Sequence, residues 1–264
     1  MQLATLNAWG MRGDWPDRLA IFQGGFRQLD ADIVVLQETI LTGEVDQAAV
    51  MLGDGYHLAQ QSAREMDGQG ITTASRWPIG QVIQVDLNVT ERTGDFACAA
   101  LITEILAPDP WGRVWVANHF PDYQVDHERE RRLQAALVAR TLEDLVRIWP
   151  GHVVVAGDMD ADGDSDSLRF WTGRHVIDDL SVCYRSAWES ARPLEPLVTF
   201  SAQNPHAADW DWPFKGIDHI LIRCGDHGGP TLPILECRRI FDAETASASD
   251  HYGLSVELSA GPPN

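Results

Sequence analysis

Positive charge is scarce in this 264-residue chain: 20 Lys+Arg stand against 39 Asp+Glu, a formal charge of −19, and Lys215 is the only lysine. Such a surface repels any polyanion that must lie along it, which argues against a general DNA- or RNA-coating role. It does not argue against an enzyme whose acidic cleft is neutralised by bound cations, because metal ions invert the local charge logic. With lysine nearly absent, the cations are guanidinium groups, which suit bidentate phosphate contacts, although codon bias produces the same composition. Cysteine is also sparse. Cys98, Cys183, Cys224 and Cys237 form no C-x-x-C pair and no Cys/His grouping at zinc-finger spacing, so they are read as buried or idle thiols.

Long apolar runs are missing too. None approaches the roughly 18 to 20 residues that cross a bilayer, so no membrane span is expected. The stretch Met1 to Gly10 lacks the basic start and apolar core of a signal peptide, and a cytoplasmic location is the expectation. There is no Pro/Gly/Ser linker, internal repeat or low-complexity segment, so one domain is expected over residues 1–259, followed by a loose tail at 260–264. No feature calls for an obligate protein partner.

What is present is a series of short apolar, β-branched runs that predict buried strands. They are Leu3 to Leu6, Asp32 to Gln37, Ala97 to Leu106, Arg113 to Ala117, His152 to Ala156, Ile217 to Ile222 and Leu254 to Leu258. Between Asp126 and Ile148, Leu133, Leu137, Val138, Leu142 and Leu145 recur at helical spacing, with Asp126 as the expected cap and Pro150-Gly151 as the stop. A second helix is predicted over about Trp15 to Leu29. Strands alternating with helices, but with neighbouring strands near 97 to 117, imply an α/β protein with mixed sheets.

Most of these strands finish in a residue able to bind a cation or move a proton. The first ends at Asn7 and the second at Glu38, a later one runs into Asn118-His119, and Gly157 leads to Asp158 and Asp160. Then come Asp218-His219 and Ser249-Asp250-His251. Taken alone, each is as readily a turn residue bonding its own backbone; as a set, they line the carboxyl ends of strands, where a layered α/β fold places its ligand crevice. Glu38, Asp158, Asp250 and Asn7 offer hard oxygen donors suited to Mg²⁺ or Mn²⁺, and closely spaced His or Cys ligands for zinc are absent. The chemistry this implies is metal-assisted hydrolysis.

In order and spacing, Asn7, the Leu-Gln-Glu ending at Glu38, the segment Gly70 to Ile79, Asn118-His119, Gly157-Asp158, Ile217-Asp218 and Ser249-Asp250-His251 resemble the endonuclease/exonuclease/phosphatase superfamily, the deoxyribonuclease-like fold. The resemblance runs from residue 2 to about residue 258. It implies a four-layer α/β sandwich of two mixed β-sheets flanked by helices, and a Mg²⁺- or Mn²⁺-dependent phosphoric ester hydrolase. It also implies roles: Glu38 as principal metal ligand with Asn7 and Asp250 beside it, and Asp158 orienting or deprotonating the attacking water. His251 would contact the scissile phosphate, held by Asp218, and His119 would be a second phosphate-side histidine. One departure stands out. Where the family commonly has Asn two positions after the Asp of its Gly-Asp motif, this chain has Asp160, which suggests a second cation site, a local adjustment without consequence, or lost activity; the first two together are the favoured reading.

Two segments are candidates for substrate selection. Residues Asn118 to Arg132 place Tyr123 and Arg131 near the start of the long helix, where Arg131 either grips a second phosphate or carboxylate or belongs to a solvated helix face. Residues Ala208 to Lys215 carry Trp212, either a stacking surface or a core residue, and Lys215, a possible phosphate contact. The expected substrate is a small phosphorylated metabolite, nucleotide or lipid head group. The alternative is a nuclease touching few nucleotides, disfavoured by net charge; a catalytically silent binding module comes third.

Overall fold

The computed structural model describes residues 1–209, 211, 213–242 and 247–260. Its first half contains β1 (Gln2–Asn7), α1 (Trp15–Leu29), β2 (Ile33–Ile40), α2 (Gln47–Leu52), β3 (His57–Gln60), β4 (Gln69–Ser75), β5 (Ile79–Asp86), β6 (Ala99–Leu106) and β7 (Arg113–Phe120). The second half contains α3 (Glu128–Ile148), β8 (His152–Asp158), α4 (Asp166–Trp171), β9 (Tyr184–Ser186), α5 (Ala187–Ala191), β10 (Asp218–Arg223), β11 (Ile234–Ile240) and β12 (Gly253–Leu258). Two six-stranded mixed sheets result, ordered β11-β12-β1-β2-β4-β3 and β5-β6-β7-β8-β10-β9. Each has one parallel pair at its centre, β1 with β2 and β7 with β8, and each such pair is joined through a helix, α1 or α3, as a parallel connection requires. The carboxyl ends of these two pairs supply most of the site.

Three apolar layers separate the elements. Leu3, Ile33, Val35, Val114, Val116, Val154, Ala156, Ile220 and Val256 pack in the seam between the sheets. On one outer face, Phe22, Phe26 and Leu29 of α1 cover Ala4, Leu6, Val34 and Leu36; on the other, Ala135, Val138, Ala139 and Leu142 of α3 cover Trp115, Ala117, Val153 and Val155. This is the four-layer sandwich that the strand and helix pattern implied.

All seven expected strands form, and β7 and β8 run on to Phe120 and Asp158, so that Asn118, His119 and Asp158 stand within strands. The strands not anticipated are β4 and all four sheet edges, β3, β5, β9 and β11. Edge strands meet solvent and are often short, so they lack the continuous apolar run that marks a central strand; β5, for example, has no buried residue. The long helix starts at Glu128 after His127, not at an Asp126 cap. Asp126 instead pairs with Arg92 at 2.7 Å, and the turn before α3 is held from inside by Arg131. That guanidinium donates to the carbonyls of Asp122 (3.1 Å), Gln124 (2.6 Å) and Val125 (3.3 Å). The short helix anticipated near Leu168 to Trp171 is α4.

Side chains alternate across each strand, and this decides which polar groups enter the seam. Asn118 follows Val114 and Val116 inward. It accepts a hydrogen bond from Gln37 Nε2 (2.9 Å) and donates to the carbonyls of Leu36 (2.9 Å) and Thr72 (3.1 Å), tying the two sheets together where no water reaches. Asn118→Ala removes one of the two acceptors of Gln37 Nε2, leaving Thr5 Oγ1, and deprives the two carbonyls of their side-chain donor. A loss of about 2 to 4 kcal/mol in unfolding free energy is expected, read as a lower urea midpoint at unchanged slope.

Candidate active site

The same alternation carries the apolar seam into a polar cleft. Leu3, Thr5 and Asn7 share one face of β1; Val154, Ala156 and Asp158 share one face of β8; and Ile222, Ile220 and Asp218 share one face of β10. Glu38 would leave this series, since Ile33 and Val35 place odd-numbered residues of β2 inward. A bulge in the β2–β4 pairing between Leu36 and Thr39, with Glu38 itself at φ +53°, turns its carboxylate toward Asn7. Bulges and left-handed non-glycine residues are costly, and here the distortion re-aims one functional side chain. Gly157 has a related role. A Cβ there would lie 2.2 Å from the His119 carbonyl oxygen, so only glycine lets β8 pass β7 at this height and deliver Asp158.

Hydrogen bonds then fix the carboxylates. Asn7 Nδ2 donates to Glu38 Oε1 (3.0 Å) and to Asp158 Oδ2 (2.9 Å), while Asn7 Oδ1 accepts from the backbone of Trp9 (2.9 Å). Ser249 Oγ donates to the Asn7 carbonyl at 2.7 Å and lies 3.2 Å from Asp250 Oδ1. His251 Nδ1 lies 3.0 Å from Asp218 Oδ2, and its Nε2 lies 3.8 Å from Asp158 Oδ2. Asp218 is buried and its backbone N–H, like that of Ile217, donates to Thr199 Oγ1. One imidazole is thus held between two carboxylates, with its inner nitrogen oriented and its outer nitrogen toward Asp158, the arrangement that suits a phosphate donor or proton carrier.

The electrostatics follow from burying many carboxyls together. Burial raises Asp158 to about 7, with Asp218 adding to the rise and the His251 charge opposing it. Burial, reinforced by Glu38, raises Asp250 to about 6. Asp160 is also raised, by burial first and Asp158 second. Burial opposes charge on His251, but Asp218 and then Asp158 outweigh it and hold the imidazolium well above its ordinary range. Asp158, Asp218 and His251 each present one atom within 4.8 Å of the others. Because His251 Nδ1 is engaged by Asp218, we read this trio as an oriented histidine and not as ligands of one ion. Glu38, and Asp250 whose pKa it helps to raise, add two further carboxylates whose hard oxygens suit a divalent cation, whereas Asn7 turns its Nδ2 toward Glu38 and Asp158 and its Oδ1 to the Trp9 N–H.

A cavity of about 600 Å³ opens over these residues, lined by Glu38, Asp158, Asp160, Asp250 and His251 on its floor. Tyr123 lines it as expected, in a wall with Phe96 and Phe120 whose rings meet edge to face at 5.2 to 5.4 Å. Other expected residues go elsewhere. His119 lies on the outer face of β7 with Trp115 and Ala117; it is buried against Trp171, at 6.0 Å between ring centroids, and burial lowers its pKa to about 3. It is a neutral histidine of the helix-facing layer and not a phosphate-side group, because strand alternation cannot present both Asn118 and His119 to the seam. Arg131 is 4% exposed, its donors spent on the loop carbonyls and on Glu128 at 2.9 Å, so it is a structural cation. Lys215 faces a separate cavity of about 270 Å³ and lies 3.6 Å from Asp162. Trp212 lies outside the described residues, as do residues 261–264 of the expected tail.

Arg12, Thr199 and Phe200 were not anticipated. Arg12 Nη1 bonds Glu38 Oε2 at 2.7 Å, and among the described residues it is the only Lys or Arg lining the cleft. Its signal was the glycine-containing turn after β1, Trp9-Gly10-Met11-Arg12, in which Trp9 and Gly10 both have positive φ. Thr199 and Phe200 left no such trace. They reach the site through isolated pairings of Phe200 with Lys215 and His251, and the Phe200 ring lies 5.0 Å from the imidazole.

The model of the Endonuclease/Exonuclease/phosphatase family matches residues 4–251. The chain belongs to this family. Similar solved structures include an endonuclease/exonuclease/phosphatase from Bacteroides vulgatus, 16% identical over 98% of this chain and 98% of that one, with a TM-score of 0.76. Others are D. rerio TDP2 humanized by 14 mutations (17% identity, 98% and 99% covered, TM-score 0.73) and a Bacteroides thetaiotaomicron mannosyl-6-phosphatase (17% identity, 98% and 99% covered, TM-score 0.73). These likenesses establish the fold. Among curated proteins none matches in sequence.

If Asp218 sets the orientation of His251, Asp218→Asn lowers kcat on a small aryl phosphoester by about 10² to 10⁴ while the melting temperature stays within a few degrees. Unchanged turnover in a folded variant would remove the pair from the mechanism.

Proposed function

We propose that the protein is a divalent-metal-dependent phosphoesterase acting on a compact substrate. The observation that supports this most directly is the composition of the cleft. Its floor is carboxylate with one oriented histidine, its outer lip adds Glu65, Asp67 and Asp95, and Arg12 is the one lining Lys or Arg among the described residues. A polynucleotide crossing that lip would set successive phosphates against carboxylates, whereas affinity for a nucleic acid normally needs a cation for each phosphate tracked. A single phosphoester seated on the floor has its charge offset there by Arg12, His251 and a bound divalent cation, and Phe96, Phe120 and Tyr123 offer an apolar wall for the rest of the molecule.

Glu38 and Asp250 are the residues that would hold Mg²⁺ or Mn²⁺, which when bound neutralises phosphate charge and supports the leaving oxygen. Asn7, its Nδ2 on Glu38 and Asp158, fixes the carboxylates rather than ligating the ion. Asp158, fixed by Asn7 Nδ2, is placed to orient the attacking water and take its proton. His251, held by Asp218, donates to a nonbridging phosphate oxygen, where charge grows in the transition state. Arg12 is free to leave Glu38 for the phosphate once the carboxylate charge is otherwise satisfied, since its side chain is half exposed. Asp160, with its backbone N–H on Asp158 Oδ1 at 3.2 Å, brings a carboxyl where the family commonly has an amide. Its raised pKa favours the protonated form, which can donate to phosphate as the amide would.

The test is hydrolysis with Mg²⁺ or Mn²⁺ across a bis-aryl phosphodiester, an aryl phosphomonoester, nucleotides, phospho-sugars, lipid head-group esters and single- and double-stranded DNA and RNA, with EDTA and Glu38→Ala controls. Turnover confined to small esters, abolished by EDTA and lowered about 10²-fold or more by Glu38→Ala, is expected. Turnover mainly on polymers, falling steeply with added salt, would overturn the compact-substrate reading in favour of a nuclease.

A further inference from the structure

Cys183 and Cys224 lie 41 residues apart in the chain, yet their sulfurs stand 3.5 Å from each other. The contact follows from the register of β9 and β10. Arg223 faces Tyr184 and Leu221 faces Ser186, so the next cross-strand position sets Cys224 opposite Cys183, and the Cys224 N–H donates to the Cys183 carbonyl at 2.9 Å. Residues opposed at a hydrogen-bonded position of an antiparallel pair have Cα atoms about 5.5 Å apart, within the range that a disulfide spans without moving the backbone. Cys183 is exposed and Cys224 is nearly covered; Cys98 and Cys237 are buried and lie in different apolar cores. We propose that Cys183 and Cys224 form a reversible dithiol/disulfide couple that staples the edge strand β9 to β10.

The surroundings favour oxidation at this pair and nowhere else among the four cysteines. Of the four thiols, Cys183 alone is exposed to an oxidant in solution, and the Cys224 sulfur stands next to it. Burial and Cys183 itself push the Cys224 thiol up to about 11, only partly opposed by Arg185 and Arg223, so Cys224 is the resolving partner and not the first group attacked. Cys98 and Cys237 are buried in separate cores; burial pushes the Cys98 thiol well above its ordinary range and Cys237 up to about 12, so both stay protonated and unreachable. With a hydroperoxide as oxidant, the Cys183 thiolate attacks the O–O bond. An S–O bond forms, the O–O bond breaks, and the departing alkoxide or hydroxide takes up a proton, leaving a sulfenic acid. The Cys224 sulfur then attacks Cys183, forming the S–S bond as the S–O bond breaks and water leaves. In sum, two thiols and one hydroperoxide give one disulfide, one alcohol or water, and one water; a small dithiol reverses it. The pair lies beyond the end of β10 opposite Asp218, so the couple is separate from the hydrolytic cleft.

The experiment treats the full chain with a slight excess of hydrogen peroxide, blocks remaining thiols and maps tryptic peptides with and without dithiothreitol. Cys224 and Cys237 fall in one tryptic peptide, residues 224–238, so fragmentation and a Cys237→Ser background separate them. The expected result is a reducible link between residues 175–185 and 224–238 through Cys224, absent in Cys183→Ser and in Cys224→Ser. It is accompanied by a melting temperature raised by about 4 °C or more that returns on reduction. Sulfinic acid at Cys183 without a link, or oxidation at Cys98 or Cys237 to the same extent, would overturn the pairing. A link with no change in melting temperature would overturn the staple.

Discussion

The amide of Asn7 joins two carboxylates that belong to different sheets. Glu38 comes from the sheet containing β1 and β2, Asp158 from the sheet containing β7 and β8, and Asn7 Nδ2 donates to both. Two carboxylates brought together at the edge of an apolar seam repel and lose solvation. One fixed donor between them offsets part of that cost and sets their separation. The rest of the site hangs from this contact. Ser249 is anchored on the Asn7 carbonyl, which places Asp250 and His251, and Asp218 and Asp158 then hold the imidazole between them. Deeper in the seam, Gln37 and Asn118 repeat the device with neutral amides, so the sheets are registered before the charged groups meet.

Much of this was legible in the sequence because strand alternation is a strict rule. A run such as Val153 to Asp158 announces a buried strand and also which residues share a face. The same rule would have removed His119. Placed next to Asn118 on one strand, it faces the opposite layer, against Trp171. Glu38 shows the reverse case. Periodicity alone would have turned it away from the cleft, and only the bulge, which depends on pairing with β4, brings it back.

What could not be read depends on contacts distant in sequence. Arg131 looked like a free cation because nothing in its neighbours' identities shows that three carbonyls upstream point at its guanidinium. Thr199 and Phe200 sit in a segment without periodicity, placed only when Lys215 and His251 pair beside it. The four edge strands escaped notice because they are the strands with least to bury, and the proximity of Cys183 and Cys224 depends on one of them.

The position of β12 has a further consequence. Although late in the chain, it is an inner strand, paired with β11 on one side and with β1 on the other, Gln2 facing Glu257. The N-terminal strand therefore waits for residues 253–258 before its second edge is covered, and Asp250 and His251 arrive with them. Contacts of such separation close slowly, since a long loop must be ordered before they form. During synthesis, the half-built sheet exposes β1 as an unpaired edge and leaves the cleft without Asp250 and His251. The cleft is completed only in the step that also covers the free edge of β1.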